Sequence, residues 1–357
     1  MASKKGSRAV GQSGSRRPKK GARKKTTKKK TSKRPARKKT VKMLPAARKQ
    51  TSKRAFDKKT DSAYDPKWVP PVFDDDLLLG AHVSIAGGTQ EAPFRAKATG
   101  ASAMQIFTKM ANRWAERTCE DEECTLFRVM LADTNVRETM AHDSYLINLA
   151  SPDAKMRRMS IESFVAELQR CEALGLKYLV SHPGNFLDDR ASGLARNADG
   201  ITEAFERVPG KTVVCMETTA GSGTALGANF EELAALFEMI PEPHRSRMGV
   251  CVDTCHAYSA GYDLRGDFDG VWARFDDTVG LARLRVMHLN DSKTPFGSRR
   301  DRHELIGEGS LGEEPFRRIM TDHRFDRVPK ILETPKQNDA TATDTRMILR
   351  LRGYKTH

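Results

Sequence analysis

The chain has 357 residues, 38% of them hydrophobic, with 62 Lys+Arg against 46 Asp+Glu for a net charge of +16. That length buries an ample core in one large domain or two ordinary ones. No stretch approaches the roughly 18 to 20 consecutive apolar residues of a membrane span, and the N-terminus lacks the apolar centre of a signal peptide, so a soluble intracellular protein without membrane partners is expected.

The charge is unevenly placed. Residues 1–60 hold 25 Lys+Arg and a single acid, Asp57, whereas residues 61–357 hold 37 basic and 45 acidic residues. A segment such as GARKKTTKKKTSKRPARKK has almost nothing apolar to bury and cannot offset the entropy of its own ordering, so 1–60 reads as a disordered tail. Its charge suits phosphate backbones through counterion release, which makes nucleic acid its expected partner. Short Lys/Arg runs also act as import signals, so the nucleus is the expected location; a generic solubilising tail is the plainer alternative. A linker over 61–76 carries Pro66, Pro70 and Pro71, and the folded domain is expected over 77–357.

From there a short β-type run, a polar loop and a longer amphipathic stretch recur. The runs are LLLGAHVS (77–84), AMQIF (103–107), ETMAHD (138–143), YLVSHP (178–183), TVVCMETT (212–219), MGVCVDT (248–254), VMHLND (286–291) and KILETP (330–335). Between them, 159–176 and 229–240 repeat apolar residues at three- and four-residue intervals and predict helices. Eight such units over about 270 residues fit an α/β fold of the (β/α)8 TIM barrel type; a doubly wound open sheet is the structural alternative.

Active sites in such barrels sit at the C-terminal ends of the strands, so the residue ending each run carries the information. Near its end the third run carries His142-Asp143, the fourth His182, the fifth Glu217, the sixth Asp253 with His256 just beyond, the seventh His288 and the eighth Glu333. The loop GSRRDRHELIGEG adds Asp301 and His303. A single histidine at a strand end is commonly structural, but five histidines and four carboxylates at one mouth would repel and desolvate without a cation. Imidazole with carboxylate suits zinc, and nine ligands imply two or three ions. Three Zn²⁺ against four carboxylates leave a formal charge of about +2, ready for a phosphodiester. The six cysteines show no zinc-ribbon or secreted-scaffold spacing; in GVCVD, Cys251 shares a strand face with Asp253 and is expected to be a buried, reduced, structural thiol.

The motifs GAHVSIAGG (80–88), HDSYLINL (142–149), HPGN (182–185), ETTAGSGTALG (217–227), VCVDTCHAYSAGYDL (250–264), HLNDSKTPFGSRRDRHELIGEG (288–309) and ILETP (331–335) together resemble the endonuclease IV family of apurinic/apyrimidinic endonucleases. The resemblance runs from about residue 78 to 350. It implies a three-zinc barrel that cleaves the phosphodiester 5′ to an abasic site in double-stranded DNA, leaving a 3′-hydroxyl and a 5′-deoxyribose phosphate, with Mn²⁺ able to take part of the metal set. It implies one zinc on His142, His182 and the bridging Glu217, a second on Glu217, Asp253, His288 and Glu333, and a third on His256, Asp301 and His303. Glu217 and Glu333 would also orient the attacking hydroxide. Loops after the second and third strands would enter the minor groove with Asn112, Arg113, Trp114, Tyr145 and Leu146, while Arg299 and Arg302 would meet phosphates. Arg113 stands directly before Trp114, where familiar members place the arginine one residue earlier, and Thr218 stands where asparagine is common. A monomer is expected. Two rivals remain at this point: a metal-dependent sugar isomerase or epimerase of the same fold, and an inactive DNA-binding or packaging protein in which the tail does the work.

Overall fold

Alternating inward and outward side chains let short β-branched runs line a closed parallel sheet. The computed structural model describes residues 71–73 and 76–355; the expected tail and most of the linker lie outside the described residues. Eight strands form the barrel: β1 Leu79–His82, β2 Ala103–Phe107, β3 Glu138–His142, β4 Tyr178–Ser181, β5 Val213–Glu217, β6 Met248–Asp253, β7 Leu284–His288 and, after a small ribbon, β10 Lys330–Leu332. The ribbon is antiparallel, β8 Asp291–Ser292 against β9 His303–Glu304. The barrel order is β1-β10-β7-β6-β5-β4-β3-β2. Pairing of Gly80 with Ile331 joins the first strand to the last and excludes the open-sheet alternative.

Each strand falls within or beside its predicted run, usually shorter at the C-terminal end. The trimmed residues include His182, which leaves the sheet where the loop begins. The barrel interior is a small plug of Ala103, Met140, Tyr178, Val180, Cys215, Cys251, Val286 and Ile331. Both thiols are fully buried there, and all six cysteines are free, as their spacing led us to expect. Burial pushes the Cys251 thiol well above its ordinary range and the Cys255 thiol up to about 11, so both stay protonated near neutrality.

The helices start and stop on local chemistry. Ala154–Leu174 begins earlier than its periodicity suggested because Asp153 caps it, its side chain accepting from Met156 N at 2.7 Å. Gly175, at φ 76°, ends it in the left-handed region. Phe230–Met239 matches the predicted 229–240, with Asn229 as the cap. No helix among the described residues is long and apolar enough to cross a membrane.

Gly80 shows how tightly β1 and β2 approach. A Cβ there would lie 1.6 Å from the backbone oxygen of Ala103. Gly80→Ala is therefore expected to destabilise the fold by about 3 kcal/mol in chemical denaturation, because the obstruction is backbone and cannot rotate away. An unchanged denaturation midpoint would contradict that packing.

Candidate functional site

Four strands deliver their last residues, His142, Glu217, Asp253 and His288, to one mouth, and His182 and Glu333 follow directly on β4 and β10. Glu217, at the end of β5, is fully buried, and its two oxygens are divided among four imidazoles. Oε2 lies 3.1 Å from His142 Nε2 and 3.0 Å from His182 Nε2. Oε1 lies 2.9 Å from His288 Nδ1 and 3.3 Å from His256 Nδ1. On the far side, His256 Nε2 and His303 Nε2 each sit 3.2 Å from an oxygen of Asp301. Glu333 Oε2 stands 3.3 Å from His288 Nδ1, and Asp253 Oδ2 stands 4.0 Å from the same nitrogen.

The nine residues singled out in the sequence thus converge. Two groups have ligand atoms within 4.8 Å of one another in the combinations the resemblance implied: His142 with His182 and Glu217, and Glu217 with Asp253, His288 and Glu333. The third region is mixed, with His303 grouped both with Asp253 and His256 and with Cys255 and Asp301.

The surroundings aim the imidazoles. His142 Nδ1 contacts the Asp143 carbonyl at 2.9 Å, His256 Nδ1 the Thr218 carbonyl at 2.9 Å, and His303 Nδ1 the Glu333 carbonyl at 3.2 Å. A carbonyl can only accept, so each Nδ1 donates to it and each Nε2 is the ring nitrogen turned inward. His256 Nε2 and His303 Nε2 are buried and make no hydrogen bond. Inward-turned ring nitrogens beside carboxylates are the donor set that a borderline metal ion takes once the imidazoles are neutral.

The DTCH spacing has a local cause. Asp253 caps the helix Thr254–Ala260, its Oδ1 accepting from His256 N at 2.8 Å, so the cap places the histidine one turn beyond the strand end.

Without a cation the cluster is held by protons. Burial alone pushes the His142 imidazole down, but Glu217, Glu333 and Asp143 lift it to about 10. Burial likewise opposes charge on His303, and Asp253 and Asp301 lift it to about 9. Burial disfavours the Glu217 and Glu333 carboxylates, yet His288 chiefly, with other imidazoles, holds both well below the usual range.

Sequence reasoning missed two supporting residues, Gln105 and Asn290. Gln105, inward on β2, accepts from His288 Nε2 at 2.9 Å and donates to Glu333 Oε1 at 2.6 Å, bridging past β1 to β7 and the end of β10. Its signal was one amide inside an apolar run. Asn290 donates to Asp253 Oδ2 at 2.6 Å and accepts from Glu333 N at 3.0 Å. His82 also lines the mouth, its Nδ1 3.0 Å from Gln105 Nε2 and 3.4 Å from Glu333 Oε1. Thr218, the departure from the common asparagine, accepts from Asp253 N at 2.9 Å and so braces that strand end.

The rim residues are presented rather than buried. Tyr145 is 68% exposed, edge-on to Phe107 at 5.2 Å and 6.1 Å from the His142 ring. Leu146 and Trp114 are half-buried, and Arg113, Arg299 and Arg302 are exposed. Lys109 donates to the Arg113 carbonyl at 2.9 Å, closing the loop after β2.

Residues 94–351 match the xylose isomerase-like TIM barrel family. A probable endonuclease 4 of Chloroflexus aurantiacus is 46% identical over 73% of this chain and 92% of its own length. Another from Geobacter sulfurreducens is 46% identical over 73% of this chain and 89% of its own length. The crystal structure of endonuclease IV from Thermus thermophilus aligns with a TM-score of 0.69 and 35% identity, covering 77% of this chain and 98% of that one. A 3-keto-D-glucoside 4-epimerase of E. coli shares the fold alone, at 13% identity and a TM-score of 0.56 over 78% of this chain and 99% of that one. With its strand-end cluster and this kinship, the chain belongs to the endonuclease IV family of apurinic/apyrimidinic endonucleases.

Proposed function

We propose that this protein is a zinc-dependent base excision repair enzyme. It hydrolyses the phosphodiester 5′ to an abasic site in duplex DNA and leaves a 3′-hydroxyl and a 5′-deoxyribose phosphate. The observation that carries the reading is the shared, fully buried Glu217, flanked by imidazoles whose free ring nitrogens converge on it.

His142, His182 and Glu217 would hold one ion, Glu217, Asp253, His288 and Glu333 a second, and His256, Asp301 and His303 a third. The donors are imidazole and carboxylate, which fits zinc, with Mn²⁺ acceptable at the more oxygen-rich positions. When bound, such ions supply a hydroxide at neutral pH and positive charge facing the phosphodiester oxygens. Glu217 holds the centre together through both oxygens. Glu333, with Oε1 fixed by Gln105, is free to orient a nucleophile through Oε2. Extruding an abasic nucleotide costs less than extruding an intact one, and Tyr145 and Leu146 present an aromatic and an aliphatic wedge for the vacated stack. The protein acts as a monomer, with residues 1–60 engaging undamaged DNA and directing nuclear import.

Purified protein is expected to nick an abasic duplex on the 5′ side of the lesion and to lose that activity on prolonged chelation. Cleavage on the 3′ side by β-elimination would sink the assignment. Glu333→Gln should lower kcat by about 10²- to 10⁴-fold with the fold intact by circular dichroism; wild-type turnover would remove Glu333 from the mechanism. Metal loading is also expected to expel protons. His142 and His303, lifted to about 10 and about 9, are imidazolium at pH 7.5 in the metal-free protein, whereas a ligand must be neutral. Zinc affinity should therefore rise with pH up to that range. Calorimetric zinc titrations should give enthalpies that differ between buffers of different ionisation enthalpy, and a buffer-independent enthalpy would contradict the proton-held cluster.

A further inference from the structure

The loop between β2 and the helix Asp121–Ala132, residues 108–120, contains no helix or strand, so its backbone carbonyls have no ladder to accept from. Three of them accept from cations instead. The Thr108 carbonyl takes Arg117 Nη1 at 3.3 Å, the Arg113 carbonyl takes Lys109 Nζ at 2.9 Å, and the Arg117 carbonyl takes Arg170 Nη1 at 3.1 Å. Lys109 and Arg170 are both buried, at 4% and 2% exposure, and so need countercharge.

Glu116 supplies it to both. Its Oε1 accepts from Lys109 Nζ at 2.9 Å and from the Ser163 hydroxyl at 2.6 Å, and its Oε2 accepts from Arg170 Nη1 at 2.8 Å. Arg170, carried by the helix Ala154–Leu174, is fixed at its other edge as well: Nη2 lies 3.0 Å from Glu167 Oε2, and Nε donates to Thr108 Oγ1 at 2.7 Å. Burial alone would raise the Glu116 carboxyl, but Ser163, Lys109 and Arg170 hold it below the usual range.

The tip of the loop has no such burial. Arg113 N donates to the Met110 carbonyl at 3.2 Å and closes a turn in which Met110 is 60% exposed and Asn112 and Arg113 are exposed. The Ser144 hydroxyl donates to the Ala111 carbonyl at 2.6 Å, which bonds this turn to the loop carrying Tyr145 and Leu146. Two loops from separate strands thus share one clamp.

We propose that Glu116 and Arg170 are positioning residues that set the 110–114 turn and the Tyr145–Leu146 loop as one preformed wedge for the stack vacated at an abasic site. The proposal rests on the nuclease reading above. Both residues act through the loop backbone. A loop ordered in advance loses little conformational freedom on binding, and the difference appears as affinity for the gapped stack.

Glu116→Ala removes the countercharge and leaves the nine mouth residues in place. In the full-length protein it is expected to raise KM for abasic duplex about ten-fold, with kcat within about three-fold of wild type and zinc content unchanged. Without DNA, the amides of residues 110–114 should exchange hydrogen faster than in wild type. Tyr145→Ala should raise KM by itself, and adding Glu116→Ala to it should raise KM less than about two-fold further, because the wedge is already lost. Glu116→Gln, which keeps an acceptor for Lys109 and Ser163, should lie between, and it carries the test if Glu116→Ala does not fold. Unchanged exchange and KM would overturn the clamp. So would KM effects that multiply in full in the double variant, or a fall in kcat and zinc content alongside KM, which would make Glu116 a support of the fold alone. Wild-type protein that makes no 5′ nick defeats the nuclease reading and the wedge with it; faster exchange in DNA-free Glu116→Ala would then show the loop clamp alone.

Discussion

Everything at the mouth depends on a carboxylate that could not be buried alone. Glu217 has no solvent exposure, and the cost of taking its charge out of water is met only by the imidazoles around it. Those imidazoles come from β3, the loop after β4, the helix after β6 and β7. Closure of the barrel is what brings them to one point. The site and the fold are therefore a single electrostatic problem: the strands must end in register for the charge to be compensated, and a cation replaces the protons that otherwise do so.

Around that centre, hydrogen bonds set direction. Backbone carbonyls of Asp143, Thr218 and Glu333 each take one ring nitrogen, while Gln105 and Asn290 lock the carboxylates of Glu333 and Asp253. The thiols of Cys215 and Cys251 sit in the apolar plug one layer below, where burial keeps them protonated. Proximity to the cluster thus gives them no ionised sulfur to offer, which explains why cysteines in the middle of the most ligand-rich motif read as packing.

The fold is shared with sugar epimerases, so the barrel cannot distinguish a nuclease from a sugar-transforming enzyme. The donor set and the rim can. Five histidines among nine convergent groups and an exposed Tyr145 at the lip set this mouth apart from a site built on oxygen ligands.

The sequence by itself determined the eight strands, the histidines and carboxylates at the strand ends and the burial of the thiols, because period-two alternation and the residues near the end of each run are local properties. It also contained the DTCH spacing, whose cause, a capping aspartate, is local too. It could not show that Gln105 spans the mouth to His288 and Glu333, 183 and 228 residues away, because one amide in an apolar strand has no sequence signature. Nor could it show that Arg299 takes a left-handed backbone, at φ 54°. Only the tertiary structure decided that, since a left-handed turn held by Ser222 and Ser259 exists only once the loops after β5, β6 and β7 are packed together.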